Sequence, residues 1–303
     1  MRLLTRSDFD GLACGALLKE ARIIESFSFV HPKDIQDGLV TACEDDVLAN
    51  IPYIPGCGLW FDHHVSELER IGSIPVPGER RHAPSCARIV YDYYGGAEAF
   101  SKLTEMTYYV DKLDSAELTA EEINDPQGWV MLGFIMDPRT GLGRFHNFRI
   151  SNYVLMQMLL DACRWMSIDE ILNMTDVKER IELYKEQTEL FTEMVRKHTT
   201  LHGNCIVTDL RGAEKIYTGN RFIPYSMYPG QNISIWVVDG RGNKNCPIAV
   251  GHSIVNRTSN TRVGSLMLDY GGGGHDRAGT CQVSHKNADG VIDSLIASIN
   301  ADG

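Results

Sequence analysis

The sequence lacks the features of a membrane-spanning or secreted protein. No apolar run among its 303 residues approaches the roughly 20 residues that a membrane-spanning helix requires. The N-terminal residues carry charge and include no apolar stretch of the kind found in secretory signals. The 8 cysteines are scattered and form no C-x-x-C pair, so we expect buried, reduced thiols. These absences predict a cytoplasmic protein with no membrane partner.

The sequence also lacks an excess of positive charge. It contains 29 Lys and Arg residues against 40 Asp and Glu residues, a formal net charge of -11. Proteins that bind long DNA or RNA contact many phosphates through basic side chains, so no long nucleic acid is expected as a partner. A short anion can still bind through a local basic patch or a metal, and metal sites need carboxylates.

Three short apolar runs near the N-terminus predict strands, at 1–5, 39–42 and 58–61, and acidic residues follow each of them. Strands that end in acids and lead into helices are typical of a parallel α/β sheet, which binds ligands beyond the carboxyl ends of its strands. The pattern therefore predicts that the acids and histidines after these runs share one sheet edge: Asp8, Asp10, Asp46 and Asp62 to His64.

In the rest of the chain, the predicted secondary structure changes once, from helices before His198 to strands after it. Helical periodicity predicts helices at 12–20, 85–94, 102–113, 152–165 and along the stripe from Val177 to Val195, with capping boxes at Thr119/Glu122 and Ser167/Glu170. After His198, apolar runs predict strands at 206–208, 233–238 and 248–252, and a closing helix at 291–299. We expect an N-terminal parallel-sheet domain over 1–170, a linker helix over 171–199 and a smaller C-terminal α/β domain over 200–303.

Asp8 and Asp10 follow the first predicted strand and are separated by one residue. Two carboxylates in such a turn can face one cavity, where they repel each other unless a divalent cation lies between them. The alternative is structural, because Asp10 before Gly11 can simply cap the following helix. The pair alone leaves both interpretations open.

The triplet Asp62-His63-His64 favours the metal interpretation. One imidazole can bind a metal while the other contacts a phosphoryl oxygen or moves a proton. A lone His-His pair is more often a pair of surface residues, but the acids expected on the same edge favour a metal site. The cluster predicts hydrolysis of a phosphoester or phosphoanhydride.

Four further acids extend the candidate ligand set. Asp46 follows the strand predicted at 39–42 and adjoins Asp45, whereas Asp111 and Asp114 lie about one helical turn apart. We expect Asp46 and Asp111 as ligands, with Asp45 and Asp114 as second choices. Each of the four has an alternative as a solvated surface acid.

Four consecutive glycines, 271–274, precede His275 and Arg277. Glycines let backbone N–H groups approach an anion closely, and the two side chains add donors. The spacing matches neither G-x-G-x-x-G nor a P-loop, and a flexible turn is the alternative. From Arg211 to Arg277 there are 8 Lys and Arg residues against 4 acids, which predicts a basic patch in the second domain.

Together these motifs resemble the DHH/DHHA1 phosphoesterase superfamily. Asp62 to His64 is similar to the Asp-His-His triplet that names it, and Asp8 to Gly11 is similar to its Asp-x-Asp motif after the first strand. Gly272 to His275, followed by Ala278-Gly279, resembles the Gly-Gly-Gly-His stretch of the DHHA1 domain. The motifs occur in the family's order and span nearly the whole chain.

The resemblance implies a DHH domain and a DHHA1 domain with the active site in the cleft between them. Members of the superfamily include oligoribonucleases, cyclic-dinucleotide phosphodiesterases, single-strand exonucleases, pyrophosphatases and exopolyphosphatases, which typically use two Mn²⁺ ions. By position, the implied metal ligands are Asp8, Asp10, Asp46, His63 and Asp111, and the implied catalytic residues are His64 and Asp62. The implied substrate-binding residues are Gly272, Gly273, Gly274, His275, Arg257 and Arg262.

One part of the first motif departs from the family. A His usually stands two or four residues before the first Asp, where this chain has Arg6 and Leu4. Neither side chain supplies a neutral nitrogen ligand. We therefore expect Mn²⁺ as one or two ions, with Mg²⁺ as an alternative, and we expect Arg6 to bind a substrate phosphate.

The sequence thus predicts a metal-dependent phosphodiesterase that hydrolyses dinucleotides or short oligonucleotides to mononucleotides. Two alternatives stay open: a phosphoanhydride hydrolase of the exopolyphosphatase or pyrophosphatase type, and a catalytically impaired nucleotide sensor, suggested by the missing His. Tyr225, Tyr228 and Trp236 mildly favour a nucleotide, because bases stack on aromatic rings, but core packing explains them at least as well. A homodimer is also left open.

Overall fold

The structure is a computed structural model that describes residues 1–64, 67, 71–72 and 74–303. The chain divides into two compact units. Unit 1 comprises Met1–Glu117 and Gln127–Leu183, and unit 2 comprises Leu118–Pro126 and Tyr184–Gly303. The structure describes no helix that is long and apolar enough to cross a bilayer.

Unit 1 is built on a parallel sheet of four strands in the order β2-β1-β3-β4. The strands are β1 (Arg2–Thr5), β2 (Ser26–Phe29), β3 (Asp46–Ala49) and β4 (Leu59–Phe61). Thr5 is in register with Ala49, and Ala49 is in register with Phe61, so the carboxyl ends of β1, β3 and β4 are level. Arg6, Asn50 and Asp62, which follow these strands, therefore lie at one edge of the sheet.

Helices surround this sheet within unit 1. They are α1 (Phe9–Glu20), α2 (Pro32–Gln36), α3 (Cys86–Tyr93), α4 (Gly96–Ala99) and α5 (Thr104–Asp114), then, after the segment that belongs to unit 2, α7 (Gly128–Met136), α8 (Asn152–Trp165) and α9 (Ile168–Leu172). Ten of the twelve residues of α1 are buried, because the helix packs against α3, α5 and α8. Gly15 allows the close approach of α8, since a Cβ there would lie 2.5 Å from Leu160.

The strand predicted at 39–42 is wrong, because the structure has no strand there and β3 begins at Asp46. The apolar side chains of the predicted strand have another use. Val40 and Ala42 are partly buried against a core cluster that contains Leu4, Leu48 and Trp60. An apolar run indicates burial, but it does not by itself indicate pairing with a neighbouring strand.

Unit 2 contains a mixed sheet of six strands in the order β5-β6-β7-β8-β10-β9. Its strands are β5 (Thr199–His202), β6 (Cys205–Asp209), β7 (Ile233–Val237), β8 (Cys246–His252), β9 (Gly273–His275) and β10 (Ala278–Val283). Its helices are α6 (Ala120–Asn124), α11 (Ile223–Met227), α12 (Val263–Leu268) and α13 (His285–Asp302). Inward-facing β-branched residues of β6 to β8 form its core with Val263, Leu295 and Ile299.

The parallel sheet and the second α/β unit confirm the predicted fold class. The helix predicted at 152–165 has those bounds, and both predicted capping boxes, Thr119/Glu122 and Ser167/Glu170, are formed. The long amphipathic stripe lies on α10 (Thr175–His198), and the boundary between the units falls inside this helix, after Leu183. The division into domains at 170 and 200, with catalytic and substrate-binding roles, stays a prediction.

Candidate metal centre

The turn from β1 into α1 carries the Asp-x-Asp motif. Asp8, rather than Asp10, is the N-cap of α1, and its Oδ1 accepts a hydrogen bond from Gly11 N at 2.9 Å. Gly11 is required because a Cβ at this position would lie 2.1 Å from the Arg6 carbonyl oxygen. This close turn leaves Asp10 free to point into unit 1 from the first turn of the helix.

Asp10 is a buried carboxylate at the start of a second helix. Its Oδ2 accepts a hydrogen bond from Cys86 N at 2.9 Å, and its Oδ1 accepts one from Ala87 N at 2.7 Å, at the N-terminus of α3. These donors and the helix dipole favour the anion. Burial nevertheless raises the pKa of Asp10 well above its usual range, and the negative charges of Asp114 and Asp8 raise it further. A cation beside Asp10 would remove this penalty.

The triplet after β4 is organised around the fully buried Asp62. Its Oδ1 accepts hydrogen bonds from His63 N at 3.0 Å and from His64 Nδ1 at 2.7 Å. Its Oδ2 is buried and has no hydrogen-bond partner among the described residues. Asp62 therefore holds the imidazole of His64 and the backbone of His63.

His63 presents its Nε2 to two carboxylates. Its Nδ1 lies 3.3 Å from the Ala83 carbonyl oxygen, which can only accept, so Nδ1 carries the proton and Nε2 has a free lone pair. Nε2 lies 3.4 Å from Asp114 Oδ2 and 3.7 Å from Asp10 Oδ2. The neutral imidazole is the form that binds a metal.

Asp10, His63 and Asp114 together fit one divalent cation. One ligand atom from each residue lies within 4.8 Å of the other two. A cation about 2.1 Å from each of two ligand atoms separates those atoms by roughly 3.0–3.5 Å, close to the distances from Nε2. Two carboxylate oxygens and one imidazole nitrogen suit Mn²⁺ or Zn²⁺ better than Ca²⁺. A bound cation would also offset the repulsion that raises the pKa of Asp10.

His64 lies beside this trio but does not belong to it. Burial lowers the pKa of its imidazole, but the hydrogen bond and charge of Asp62 outweigh burial, and the net pKa is raised. The charges of Asp114 and Asp10 act in the same direction. A protonated His64 would present a donor to a phosphate oxygen next to the candidate cation site.

The structure favours Asp114 over Asp111. Asp111, the first choice from the sequence, accepts hydrogen bonds from Arg88 Nε at 2.8 Å, Arg88 Nη2 at 2.6 Å and Ser85 Oγ at 2.6 Å. These donors occupy both of its oxygens. Asp114 lies one turn further along α5 and reaches His63 instead. The structure therefore offers Asp114 to the candidate cation site, and Asp111 as a ligand stays a prediction that these contacts disfavour.

Asp46 and Asp45 lie at the wrong end of the sheet. Asp46 begins β3, and both of its oxygens accept hydrogen bonds from Arg2, at 2.7 and 2.9 Å. Asp45 precedes it, is exposed, and accepts Arg2 N through its carbonyl oxygen. Since parallel strands share direction, both residues lie at the amino ends of the strands, opposite Asp8 and Asp10. The expectation that Asp46 is a ligand rested on the strand predicted at 39–42 and on the family resemblance; it stays a prediction, which the position of Asp46 at the amino end of β3 disfavours.

Asn50 is the residue at this edge that the sequence did not single out. It follows β3 in the left-handed region, with a φ of 58° that Asn tolerates better than most residues. Its Nδ2 donates to Asp8 Oδ1 at 3.1 Å. The apolar run Val47 to Ala49 ahead of it was the available signal.

The two positions that depart from the family motif have different roles. Leu4 is 2% exposed and packs in the core of unit 1. Arg6 places its Nε 3.0 Å from Asp8 Oδ2 and keeps a side-chain exposure of 37%. Asp8 is therefore surrounded by donors, from Arg6, Asn50 and Gly11.

The glycine-rich segment is part of a hairpin, in which Gly273–His275 forms β9 and pairs with β10. A Cβ at Gly272 would lie 2.1 Å from the Thr280 carbonyl oxygen, and one at Gly274 would lie 2.2 Å from that of Ala278. A Cβ at Gly273 would meet nothing closer than 3.8 Å. Packing of the hairpin therefore accounts for Gly272 and Gly274, whether or not the segment also binds an anion.

The basic side chains around this hairpin are exposed. His275 and Arg277 lie on the surface of unit 2, and Arg257 donates from Nε to the Ile254 carbonyl oxygen at 3.1 Å. Arg262 contacts Asp276 at 3.5 Å with 74% of its side chain exposed. These donors are accessible to an anionic ligand, and their role in binding it stays a prediction.

No protein-family model matches the chain, and no curated protein matches it. Solved structures do. A pGpG-specific phosphodiesterase, PggH from Vibrio cholerae, is 49% identical, with a TM-score of 0.88 over 100% of this chain and 99% of that one.

Two more distant structures share the fold. An exopolyphosphatase-related protein from Bacteroides fragilis is 13% identical, with a TM-score of 0.52 over 99% of this chain and 92% of that one. A DHH domain described as belonging to a family of ribosomal proteins is also 13% identical, with a TM-score of 0.62 over 99% and 86%. With the Asp-x-Asp and Asp-His-His motifs at one sheet edge and 49% identity to PggH over its whole length, this chain belongs to the DHH/DHHA1 phosphoesterase superfamily.

Proposed function

We propose that the chain is a divalent-metal-dependent phosphodiesterase that hydrolyses a short dinucleotide of the pGpG kind to mononucleotides. The observation that carries the proposal is the 49% identity to a pGpG-specific phosphodiesterase over the whole length of both chains. The cluster of Asp10, His63 and Asp114 supports it, because it offers ligands for a cation beside a further imidazole.

The residues of the centre have separate tasks in this proposal. Asp10, His63 and Asp114 would hold the cation, which when bound lowers the pKa of a water molecule and offsets the charge of a phosphate. Ala83 fixes the tautomer of His63. His64, held by Asp62, would donate a hydrogen bond to a non-bridging oxygen of the scissile phosphate. Hydrolysis adds one water across the P–O bond and releases two mononucleotides.

The proposed cation is Mn²⁺, with Mg²⁺ as the alternative. A nitrogen ligand beside carboxylates favours Mn²⁺, because Mg²⁺ prefers oxygen ligands and keeps several waters. Competition between the two ions for the metal-free protein, followed by equilibrium dialysis, tests this preference. Tighter binding of Mg²⁺ would contradict it.

We propose that His275, Arg257 and Arg262 bind the end of the substrate that is remote from the scissile bond. Their support is the exposure of their side chains and the length of the two contacts of Arg262 with Asp276, through Nε and Nη2, both at 3.5 Å. Charge-assisted hydrogen bonds to a phosphate are worth roughly 1.5–3 kcal/mol each. His275→Ala is expected to raise KM for a dinucleotide without changing Mn²⁺ affinity.

The direct test is a hydrolysis panel with Mn²⁺. It contains pGpG, a second dinucleotide, a five-nucleotide RNA, a cyclic dinucleotide and polyphosphate, with mononucleotides separated by chromatography. Release of mononucleotide from pGpG, and little from the longer RNA, is expected. Release of phosphate from polyphosphate alone would favour the phosphoanhydride alternative, and binding of pGpG without turnover would favour the sensor.

A pair of variants separates binding of metal from contact with substrate. His63→Ala is expected to lose both Mn²⁺ and activity, because its Nε2 lies within the trio. His64→Ala is expected to lose activity and keep Mn²⁺, because its Nδ1 bonds Asp62 and it lies outside the trio. Retention of full activity by His64→Ala would contradict its assignment to the phosphate.

We also propose a cytoplasmic location, in keeping with eight cysteines that are all free. Seven of them are buried, and Cys43 is exposed. Fractionation of cells that express the chain tests this proposal, and recovery outside the cytoplasm would contradict it. The homodimer stays a prediction.

A further inference from the structure

Asp8 is the first acid of the Asp-x-Asp motif. Both of its oxygens already face donors. Oδ1 accepts from Gly11 N at 2.9 Å and from Asn50 Nδ2 at 3.1 Å, and Oδ2 lies 3.0 Å from Arg6 Nε. Three donors occupy three of the roughly four lone-pair positions of a carboxylate, which leaves one for a cation.

The neighbours of Asp8 provide few ligand atoms for a metal. An ionised carboxylate only accepts hydrogen bonds, so Asn50 presents its NH₂ group to Asp8, and only the amide oxygen of Asn50 keeps lone pairs for a cation. Leu4 is a buried apolar side chain, and Arg6 is a permanent cation. Among the described residues, Asp8 belongs to no group of three His, Cys, Asp or Glu side chains whose ligand atoms lie close enough together to hold a cation.

The charges of the site fall into two neighbouring groups, Asp10 with Asp114 and Asp8 with Arg6. Asp10 and Asp114 carry two negative charges around His63, which one divalent cation would balance. Asp8 carries one negative charge, which the guanidinium of Arg6 balances. A second divalent cation beside Asp8 would meet a carboxylate that is already neutralised and would be repelled by Arg6.

We propose that the centre binds one divalent cation, at Asp10, His63 and Asp114, and that the guanidinium of Arg6 takes the place of a second cation. Arg6 uses Nε for Asp8 and is 37% exposed. The exposed part of its guanidinium is accessible to a substrate phosphate. This inference rests on the proposed function, because it assigns Arg6 to the phosphate of that substrate.

The first test counts bound metal. Metal-free protein is dialysed against increasing Mn²⁺, and the bound ion is measured by mass spectrometry together with the electron paramagnetic resonance spectrum. We expect binding to saturate at one ion per chain, with the spectrum of an isolated Mn²⁺. Saturation at two ions, or the signal of two coupled ions, would overturn the inference.

The second test asks what Arg6 does. Arg6→Ala is expected to keep one Mn²⁺ per chain and to raise KM for pGpG about 10- to 100-fold, the range of a lost charge-assisted contact. Arg6→Lys, which keeps the charge without the planar fork, should recover part of the loss. Arg196→Ala is the matched control, because Arg196 lies exposed on α10 and bonds Glu193. An unchanged KM in Arg6→Ala would overturn the role of Arg6.

The two proposals fail separately in these experiments. Counting Mn²⁺ needs no substrate, so a chain that binds one ion and hydrolyses no dinucleotide would contradict the proposed function alone. A chain that hydrolyses pGpG with two bound ions would contradict the one-cation inference alone.

Discussion

Asp111 and Asp114 lie on the same helix, α5, and we expect their substitutions to have opposite effects. Asp114→Asn removes a ligand atom that lies 3.4 Å from His63 Nε2. The loss of supporting residues around a metal typically weakens binding 10- to 100-fold, so the loss of a ligand should weaken Mn²⁺ binding about 100-fold or more. Activity should fall with it. Stability should change little, because Asp114 keeps 32% of its side chain exposed.

Asp111→Asn should instead destabilise unit 1 and leave Mn²⁺ affinity unchanged. Asp111 accepts three hydrogen bonds, two of them from Arg88, and the Asp111 side chain is 15% exposed. Asn keeps one acceptor and loses the charge, so Arg88 would stay half-buried with a neutral partner. The expected cost is about 2–3 kcal/mol, a fall of roughly 1 M in the urea midpoint.

The assay measures Mn²⁺ affinity by dialysis and stability by urea denaturation of the metal-free protein for both variants. Asp92→Asn is the matched control, since Asp92 pairs with the same Arg88 but is 44% exposed, and its loss should cost less than about 1 kcal/mol. Loss of Mn²⁺ in Asp111→Asn at unchanged stability would refute the assignment. So would wild-type Mn²⁺ affinity in Asp114→Asn.

Two further substitutions test the contacts that the structure gives to other residues of the predicted site. Asp46→Asn should cost about 1–2 kcal/mol at pH 7 and leave Mn²⁺ affinity unchanged. The hydrogen bond from Arg2 lowers the pKa of Asp46 in the folded protein. The stabilisation by Asp46 is therefore present above the pKa of the unfolded state and is lost as the pH falls through the lower pKa of the folded state. A difference in urea midpoint between Asp46→Asn and the wild type that is the same at every pH would contradict this. Gly272→Ala should destabilise unit 2 by roughly 2 kcal/mol or more, because its Cβ would lie 2.1 Å from the Thr280 carbonyl oxygen. Gly273→Ala is the control and should be tolerated, because its Cβ would meet nothing closer than 3.8 Å. Equal thermal stability of the two variants would contradict the packing role of Gly272.

The sheet edge that carries the site was predictable because its signals are local. Apolar runs end at Thr5 and Phe61, and the polar residues that follow them come next in the chain. The pattern of apolar residues indicates where such strands end, so the sequence could predict that Asp8, Asp10 and the triplet Asp62-His63-His64 lie at one edge. The strand predicted at 39–42 was wrong because Val40 and Ala42 pack against the core without pairing with a neighbouring strand. Periodicity alone cannot distinguish such a segment from a strand.

The choice between Asp111 and Asp114 depended on contacts that are distant in sequence. Both acids lie near the end of α5, and periodicity shows only that they are about one turn apart. Arg88, which is 23 residues away on α3, takes Asp111, and His63 lies beside Asp114. Which face of a helix meets a given neighbour is decided by tertiary packing, so the sequence could supply both candidates but could not choose between them.

The surroundings of Asp8 indicate that its carboxylate has new partners in place of a missing metal ligand, rather than none. If a ligand had simply been lost, Asp8 would keep an unpaired carboxylate, 18% exposed, and a buried or half-buried anion without partners costs roughly 1–3 kcal/mol or more. The structure instead surrounds Asp8 with a guanidinium and an amide from two different strand ends. Asp10, His63 and Asp114 each offer one ligand atom within 4.8 Å of the other two. A nucleotide sensor needs no such trio, so the trio and the paired Asp8 together favour the proposed enzyme, with one cation and one arginine, over a catalytically impaired sensor.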